Sequence, residues 1–176
     1  MSESNKKVLI LDQEQINNKI IRIAYQILED NFGENTIVLV GIASHGYVIA
    51  GRLKSILEKI SKGEKEIILM KVTINKGKSS LEATTDIPVE TVKNKTIILV
   101  DDVLSSGRTL AYGMGVFFDI PLKKMRTAVL IDRSHHRFPV FSDFYGLKLS
   151  TTLREHVTVS LIGDDESVTE DAAWLA

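Results

Sequence analysis

The run Thr96-Ile97-Ile98-Leu99-Val100-Asp101-Asp102-Val103-Leu104-Ser105-Ser106-Gly107-Arg108-Thr109 constrains this chain more than any other stretch. An apolar, β-branched segment leads into two adjacent carboxylates, then into a loop of hydroxyls and one glycine. Leu110, Ala111, Met114, Val116, Phe117 and Phe118 follow in a helical pattern. A strand of this kind delivers Asp101 and Asp102 to its C-terminal edge, where open α/β sheets hold their ligands. The loop offers backbone N–H groups and the hydroxyls of Ser105, Ser106 and Thr109, and the next helix points its positive end at the same place. Acids beside an anion cradle are compatible if the ligand is a sugar phosphate. The acids then accept hydrogen bonds from vicinal hydroxyls while the loop holds the phosphate. Two alternatives are a strand ending in solvated acids and a phosphorelay receiver. A receiver needs its acid pair near the N-terminus and a separate phosphoacceptor strand.

The rest of the chain supplies a sheet around this strand. Apolar residues recur at helical spacing from Gln13 to Asn31 (Ile16, Ile20, Ile23, Ala24, Ile27, Leu28), and Gly33 suits the stop. Thr36 to Ile42 reads as a central parallel strand. The turn Ala43-Ser44-His45-Gly46 leads to a second helix with Ile49, Leu53, Ile56, Leu57 and Ile60 inward. Glu66 to Ile74 and Arg126 to Asp132 are further strands; Val140 to Phe144 and Val157 to Ile162 are short ones. Asn75 to Thr85 reads as a mobile loop. Residues 1–7 read as a frayed polar tail, and Asp164 to Asp171 as an acidic, peripheral end. Strands alternating with helices predict an α/β class, a parallel sheet flanked by helices, in one domain over residues 1–176.

Composition narrows the function classes. The net charge of −1 argues against a general polyanion binder, though not against a local basic patch. The absence of cysteine removes disulfides, thiolate metal sites and cysteine nucleophiles. No apolar run approaches the length of a membrane span, and the first residues carry no apolar signal core, so no membrane association is expected and the cytoplasm is the default compartment.

The run from Thr96 to Thr109 resembles the signature of the type I phosphoribosyltransferases, which bind phosphoribosyl pyrophosphate (PRPP). The resemblance implies that Asp101 and Asp102 meet the ribose hydroxyls and act as the catalytic acids. It implies that Val103, Leu104, Ser105, Ser106, Gly107, Arg108 and Thr109 wrap the 5′-phosphate, and that Ser44, His45 and Gly46 form the turn gripping pyrophosphate, often through a cis peptide. His45 stands where relatives carry Arg or Lys. The family's reaction is displacement at C1′ of PRPP by a ring nitrogen of a nucleobase, through an oxocarbenium-like transition state. Mg²⁺ neutralises the pyrophosphate, and a hard ion bound mainly through substrate oxygens needs no dedicated protein cage. A small hood would cover the base. Asp132 and Arg133 fall where the family places it, so they border the base pocket or form a strand-end ion pair. A homo-oligomer is expected from the resemblance and from apolar residues in exposed-looking places (Phe138, Phe141, Phe144, Trp174).

From about Val8 to Ile162 the resemblance sharpens to the PyrR branch, whose members act as pyrimidine operon attenuators and uracil phosphoribosyltransferases. Asp132-Arg133-Ser134-His135 is similar to its Asp-Arg-Gly-His stretch, and Asp143, Tyr145 and Gly146 also fit. This makes uracil the expected base and UMP the product. RNA-binding members carry basic residues where this chain has His136, Phe141 and Leu147, and Thr and His where it has Ile21 and Tyr25. Phosphate neutralisation drives RNA affinity, so attenuator RNA is not expected as a partner. The alternatives are a PyrR-like attenuator that does bind RNA, and a PRPP or nucleotide sensor without turnover. Lys76 and Lys78 either fold over pyrophosphate or are solvated loop charges. His135 and His136 point apart and lack a third ligand, so no protein metal site is expected. Trp174 is expected to pack on a neighbour or lie disordered.

Overall fold

The structure is a computed structural model that describes residues 7–76, 81–152 and 155–176. The expected frayed tail, apart from Lys7, and Lys78 lie outside the described residues. Strands β1 (Val8–Leu11), β2 (Thr36–Ile42), β3 (Glu66–Lys76), β4 (Leu81–Thr85), β5 (Thr96–Leu104), β6 (Lys124–Asp132), β7 (Phe144–Lys148), β8 (Val157–Ser160) and β9 (Ala172–Leu175) alternate with helices α1 (Gln13–Asp30), α2 (His45–Ile60) and α3 (Arg108–Gly115). Six strands form the main sheet in the order β4-β3-β2-β5-β6-β7, and β1-β9-β8 form a smaller one. All pairs in the main sheet are parallel except β3 with β4. The α/β class with a helix-flanked parallel sheet is thus the observed one.

The period of two along each strand explains the layering. Ile37 and Leu39 of β2, with Ile98 and Val100 of β5, face α1 and α2 in one core. Val38, Val40, Ile97 and Leu99 face the opposite side, where Leu110 and Phe117 cover them. The first helix begins at a capping box. Asp12 Oδ1 accepts from the Gln15 N–H at 2.8 Å, and Gln15 Oε1 accepts from the Asp12 N–H at 3.0 Å. At Gly46 and Gly146, as at Gly41, close approaches demand glycine. A Cβ on Gly46 would stand 2.4 Å from the Val100 carbonyl oxygen and 3.0 Å from Asp101 Cα, and one on Gly146 would stand 2.6 Å from the Leu130 carbonyl oxygen. The first lets the start of α2 lie against β5 beside the acid pair.

Four expectations change. Residues 75–85 are not wholly a loop: β3 runs on to Lys76 and pairs antiparallel with β4, matching Thr73 to Thr84 and Ile74 to Ala83. Thr and β-branched residues on both arms favour this ladder over a loop. The strand expected at 140–144 begins instead at Phe144, because Ser142 and Asp143 spend their side chains on Asp132 and on Thr127. Phe144 is buried, 8% exposed, whereas Phe141 is 70% exposed. Trp174 does not lie disordered, since β9 is the middle strand of the small sheet and pairs Trp174 with Leu9 and Thr158. The acidic end is exposed along most of its length, as expected, but not at its last residue. Asp171 is 4% exposed and receives a bidentate pair from Arg52, at 2.5 and 2.9 Å.

Candidate active site

Parallel strands β2, β5 and β6 end at one edge of the sheet, and the loops that follow them meet there. After β2, the Ala43–Ser44 peptide is cis, and α2 begins at once with His45 and Gly46. Ser44 is exposed, and its carbonyl accepts from the Tyr47 N–H at 3.1 Å. From β5, Asp101 is buried and Asp102 half-buried, and the loop Ser105–Gly107 leads into α3. Gly107 has φ +81, a left-handed conformation that few other residues adopt cheaply, and it sets the start of α3. Arg108 and Thr109 are exposed at that start. A small concavity of about 50 Å³ opens here, with Ser105, Ser106 and Thr109 in its wall. The residues Ser44 to Gly46 and Asp101 to Thr109, separated by 55 residues or more in the chain, therefore share one edge.

The acids are not equivalent. Burial first, and then the charge of Asp102, push the Asp101 carboxyl well above the usual range. Burial also raises Asp102, but a hydrogen bond from His45, the charge of that ring and the Val103 N–H outweigh it, and Asp102 ends below its ordinary value. Negative charge at this edge is thus concentrated on Asp102. His45 Nδ1 lies 3.1 Å from Asp102 Oδ2, and its Nε2 lies 2.9 Å from Asp164 Oδ2. The hydrogen bond to Asp102 raises the His45 pKa; burial opposes it, and the charges of Asp102 and Asp164 add to the rise. Asp164 went unnoticed as a site residue in the sequence. Nothing in its spacing places it at an edge formed by residues 44–46 and 101–109.

Asp132 and Arg133 end β6 at the same edge, but each is engaged within the chain. Asp132 accepts from Ser142 Oγ at 2.7 Å, from the Ser134 N–H at 2.8 Å and from His136 at 2.9 Å, and together these outweigh burial to hold its carboxyl below the usual value. Arg133 is 7% exposed. It donates to Ser105 Oγ at 3.1 Å, to Thr151 Oγ1 at 3.0 Å and to the carbonyl of Glu155 at 2.5 Å. It thereby ties the loop after β5 to Thr151 and Glu155. Ser134 sits at φ 60, where the resemblance has glycine. His135 turns to the Thr151 carbonyl while His136 turns to Asp132, so the two rings do diverge. Among the described residues no group of three or more His, Cys, Asp or Glu is arranged to hold a metal. No helix among them is long and apolar enough to cross a membrane.

The phosphoribosyl transferase domain family matches residues 8–161. The chain is 37% identical over 172 residues to the bifunctional protein PyrR of Bacillus subtilis (strain 168), covering 93% of this chain and 94% of the relative. It is 35% identical over 170 residues to the bifunctional protein PyrR of Bacillus cereus (strain B4264), covering 92% and 94%. A solved hypoxanthine phosphoribosyl transferase of Trypanosoma cruzi superposes with a TM-score of 0.77 at 16% identity, covering 100% of this chain and 94% of the other. A hypoxanthine-guanine phosphoribosyltransferase of Bacillus anthracis superposes with a TM-score of 0.74 at 18% identity, covering 94% and 96%. At such identities the two structures speak to the fold alone.

Proposed function

We propose that this chain, which belongs to the phosphoribosyl transferase family and is a pentosyltransferase acting on PRPP and a base, uses uracil as the base and releases UMP and pyrophosphate. The observation that carries the reading is the shared edge: an acid pair, a hydroxyl-rich loop at a helix start and the Ser44–Gly46 turn converge at the ends of β2 and β5. In this reading Asp101 and Asp102 hold the ribose hydroxyls, and the ionised Asp102 favours the cationic character that develops at the sugar. The N–H groups and hydroxyls of Ser105 to Thr109 hold the 5′-phosphate without reorganising, and fixed dipoles of this kind stabilise charge most effectively. Ser44 to Gly46 receive the pyrophosphate. The hood is the segment after β6, which Arg133 fastens to the phosphate loop; the base lies beneath it, near Asp132 and Arg133. Uracil is supported by the similarity to PyrR over most of the chain.

Mg²⁺ would be held by substrate oxygens and water and not by a protein cage, and when bound would supply charge neutralisation to the pyrophosphate. A hard ion carried on phosphate oxygens and water suits an edge whose ionised carboxylate is already engaged by His45. The chain works in the cytoplasm as a homo-oligomer, an assignment supported by exposed Phe141 and Phe138. Attenuator RNA is not a main partner. Of the three arginines Arg22, Arg133 and Arg137, Arg133 is buried and withdrawn from the surface, whereas Arg22 stays exposed and donates to the carbonyl of Gly146 at 2.5 Å.

Calorimetry tests the assignment. The Asp101→Asn, Asp102→Asn double variant should keep its fold and lose Mg²⁺-PRPP binding. Unchanged affinity in that variant would remove the acid pair from the site.

A further inference from the structure

His45 sits between two carboxylates from distant parts of the chain, Asp102 of β5 and Asp164 of the turn after β8. An ionised carboxylate only accepts hydrogen bonds, and a neutral imidazole has only one N–H to give. Both contacts are satisfied together only when both ring nitrogens carry protons. The geometry therefore describes a cation at the turn after β2, produced from a residue that is neutral by default near pH 7.

The two carboxylates differ in how firmly they are held. Asp164 belongs to a turn anchored at several points. Its N–H donates to the carbonyl of Leu161, which is fully buried, at 3.2 Å. The next residue after Leu161, Ile162, donates its N–H to Asp171 Oδ1 at 2.8 Å, and Arg52 donates to the Ile162 carbonyl at 2.9 Å while pairing with Asp171. Asp164 thus aims at the ring from a fixed frame. Asp102 is the acid that ribose hydroxyls would engage. Among the described residues, charged groups on the elements packed against this turn include Asp101, which accepts from the Asp102 N–H, Arg52 further along α2, paired with Asp171, and Lys71 of β3, whose ammonium lies 5.1 Å from the centre of the Tyr47 ring.

We propose that Asp164 is a positioning residue, which keeps His45 oriented and doubly protonated so that its Nδ1–H can pass from Asp102 to the pyrophosphate of the incoming substrate. The acidic segment near the C-terminus then completes the pyrophosphate subsite, and a histidine does the work of a permanent cation within a limited pH range. The inference rests on the PRPP reading for the identity of the anion, but not for the coupling between Asp164 and His45.

The full-length chain and its Asp164→Asn and His45→Arg variants decide the matter. NMR titration follows the His45 ring, and calorimetry follows Mg²⁺-PRPP affinity from pH 6 to pH 9. The ring should titrate at lower pH in Asp164→Asn than in the wild type. Wild-type affinity should fall as pH rises through the ring's titration. Asp164→Asn should bind roughly tenfold more weakly near neutrality, the equivalent of one pKa unit of differential interaction. His45→Arg should lose the break that coincides with the wild-type ring's titration and should be indifferent to an added Asp164→Asn. A ring that titrates at the same pH in both backgrounds, with PRPP binding intact, overturns this inference alone. So does a break at the pH of the wild-type ring's titration that persists unchanged in His45→Arg. A wild type that binds no PRPP at any pH overturns the PRPP reading and the pyrophosphate role together, whereas the ring titration still reports on the carboxylate–imidazole coupling.

Discussion

His45 Nδ1 lies 3.1 Å from Asp102 Oδ2, so one ion pair joins the turn after β2 to the acid pair that ends β5. This link makes stability depend on pH in a defined direction. The folded-state pKa of His45 is raised, chiefly by the hydrogen bond to Asp102. Its contribution is fully present below the ordinary histidine value and is lost as pH rises through the raised one. The pKa of Asp102 is lowered, so its contribution is present above the ordinary carboxylate value and is lost as pH falls through the lowered one. Urea melts at steps between pH 6 and pH 9 should show stability declining, and His45→Gln should flatten that decline. An equally steep decline in the variant would place the titrating group elsewhere.

Asp101 should behave in the same sense as His45 and in the opposite sense to Asp102. Its carboxyl is raised by burial and by Asp102, so the folded state keeps a proton that the unfolded chain releases above the ordinary value. Stability is therefore lost as pH climbs from there towards the raised value. Asp101→Asn removes the ionisation and retains an oxygen for the Asp102 N–H, now bonded at 2.9 Å. The variant should gain on the order of 1 kcal/mol at pH 7.5, about 2–4 °C in Tm for a chain of this size, while binding PRPP less well. A lower Tm than wild type would contradict the assignment of burial as the dominant cost.

Much of the sheet was legible because hydrophobic period and β-branching act locally. Thr36 to Ile42 and the acid-tipped strand at Thr96 carry their own signals, and so does the helix from Gln13. Less legible were features decided by distant partners. The β3–β4 hairpin depends on a match between Thr73 and Thr84 that neither strand reveals alone. Arg133 was read as bordering a base pocket or forming a strand-end ion pair, and the sequence held no sign that its guanidinium is tied to Ser105, Thr151 and Glu155. Asp164 and Asp171 looked like solvated acids because charge runs usually are. Only the fold brings His45 and Arg52 to meet them.

Gly46 tests the packing that sets the acid pair against the turn. A methyl there would meet the Val100 carbonyl oxygen at 2.4 Å, a backbone atom that cannot swing away. Gly46→Ala should cost about 1–3 kcal/mol, the usual range for overpacking, and should weaken PRPP binding by separating α2 from β5. Denaturant melts and calorimetry on the same preparation check both parts. Wild-type stability would show that the helix start is free to move.

RNA binding is expected to be weak. Tyr25 and Phe141 are 56% and 70% exposed, and apolar contacts do not neutralise phosphates. Filter binding with pyrimidine-leader RNA and UMP, at near-physiological salt, should show no more than slight preference over a scrambled RNA. Tight, sequence-selective binding would make regulation a main function of this chain.

The central claim is phosphoribosyl transfer to uracil at the edge shared by β2 and β5. The direct measurement is pyrophosphate release from PRPP and Mg²⁺ with a panel of free bases, uracil and the purines included. The account expects release with uracil above all other bases, UMP formed in equal amount, and loss of both in the Asp101→Asn, Asp102→Asn variant. Release with a purine base and none with uracil would contradict the base assignment. PRPP binding without release for any base would show the chain to be a sensor and not an enzyme.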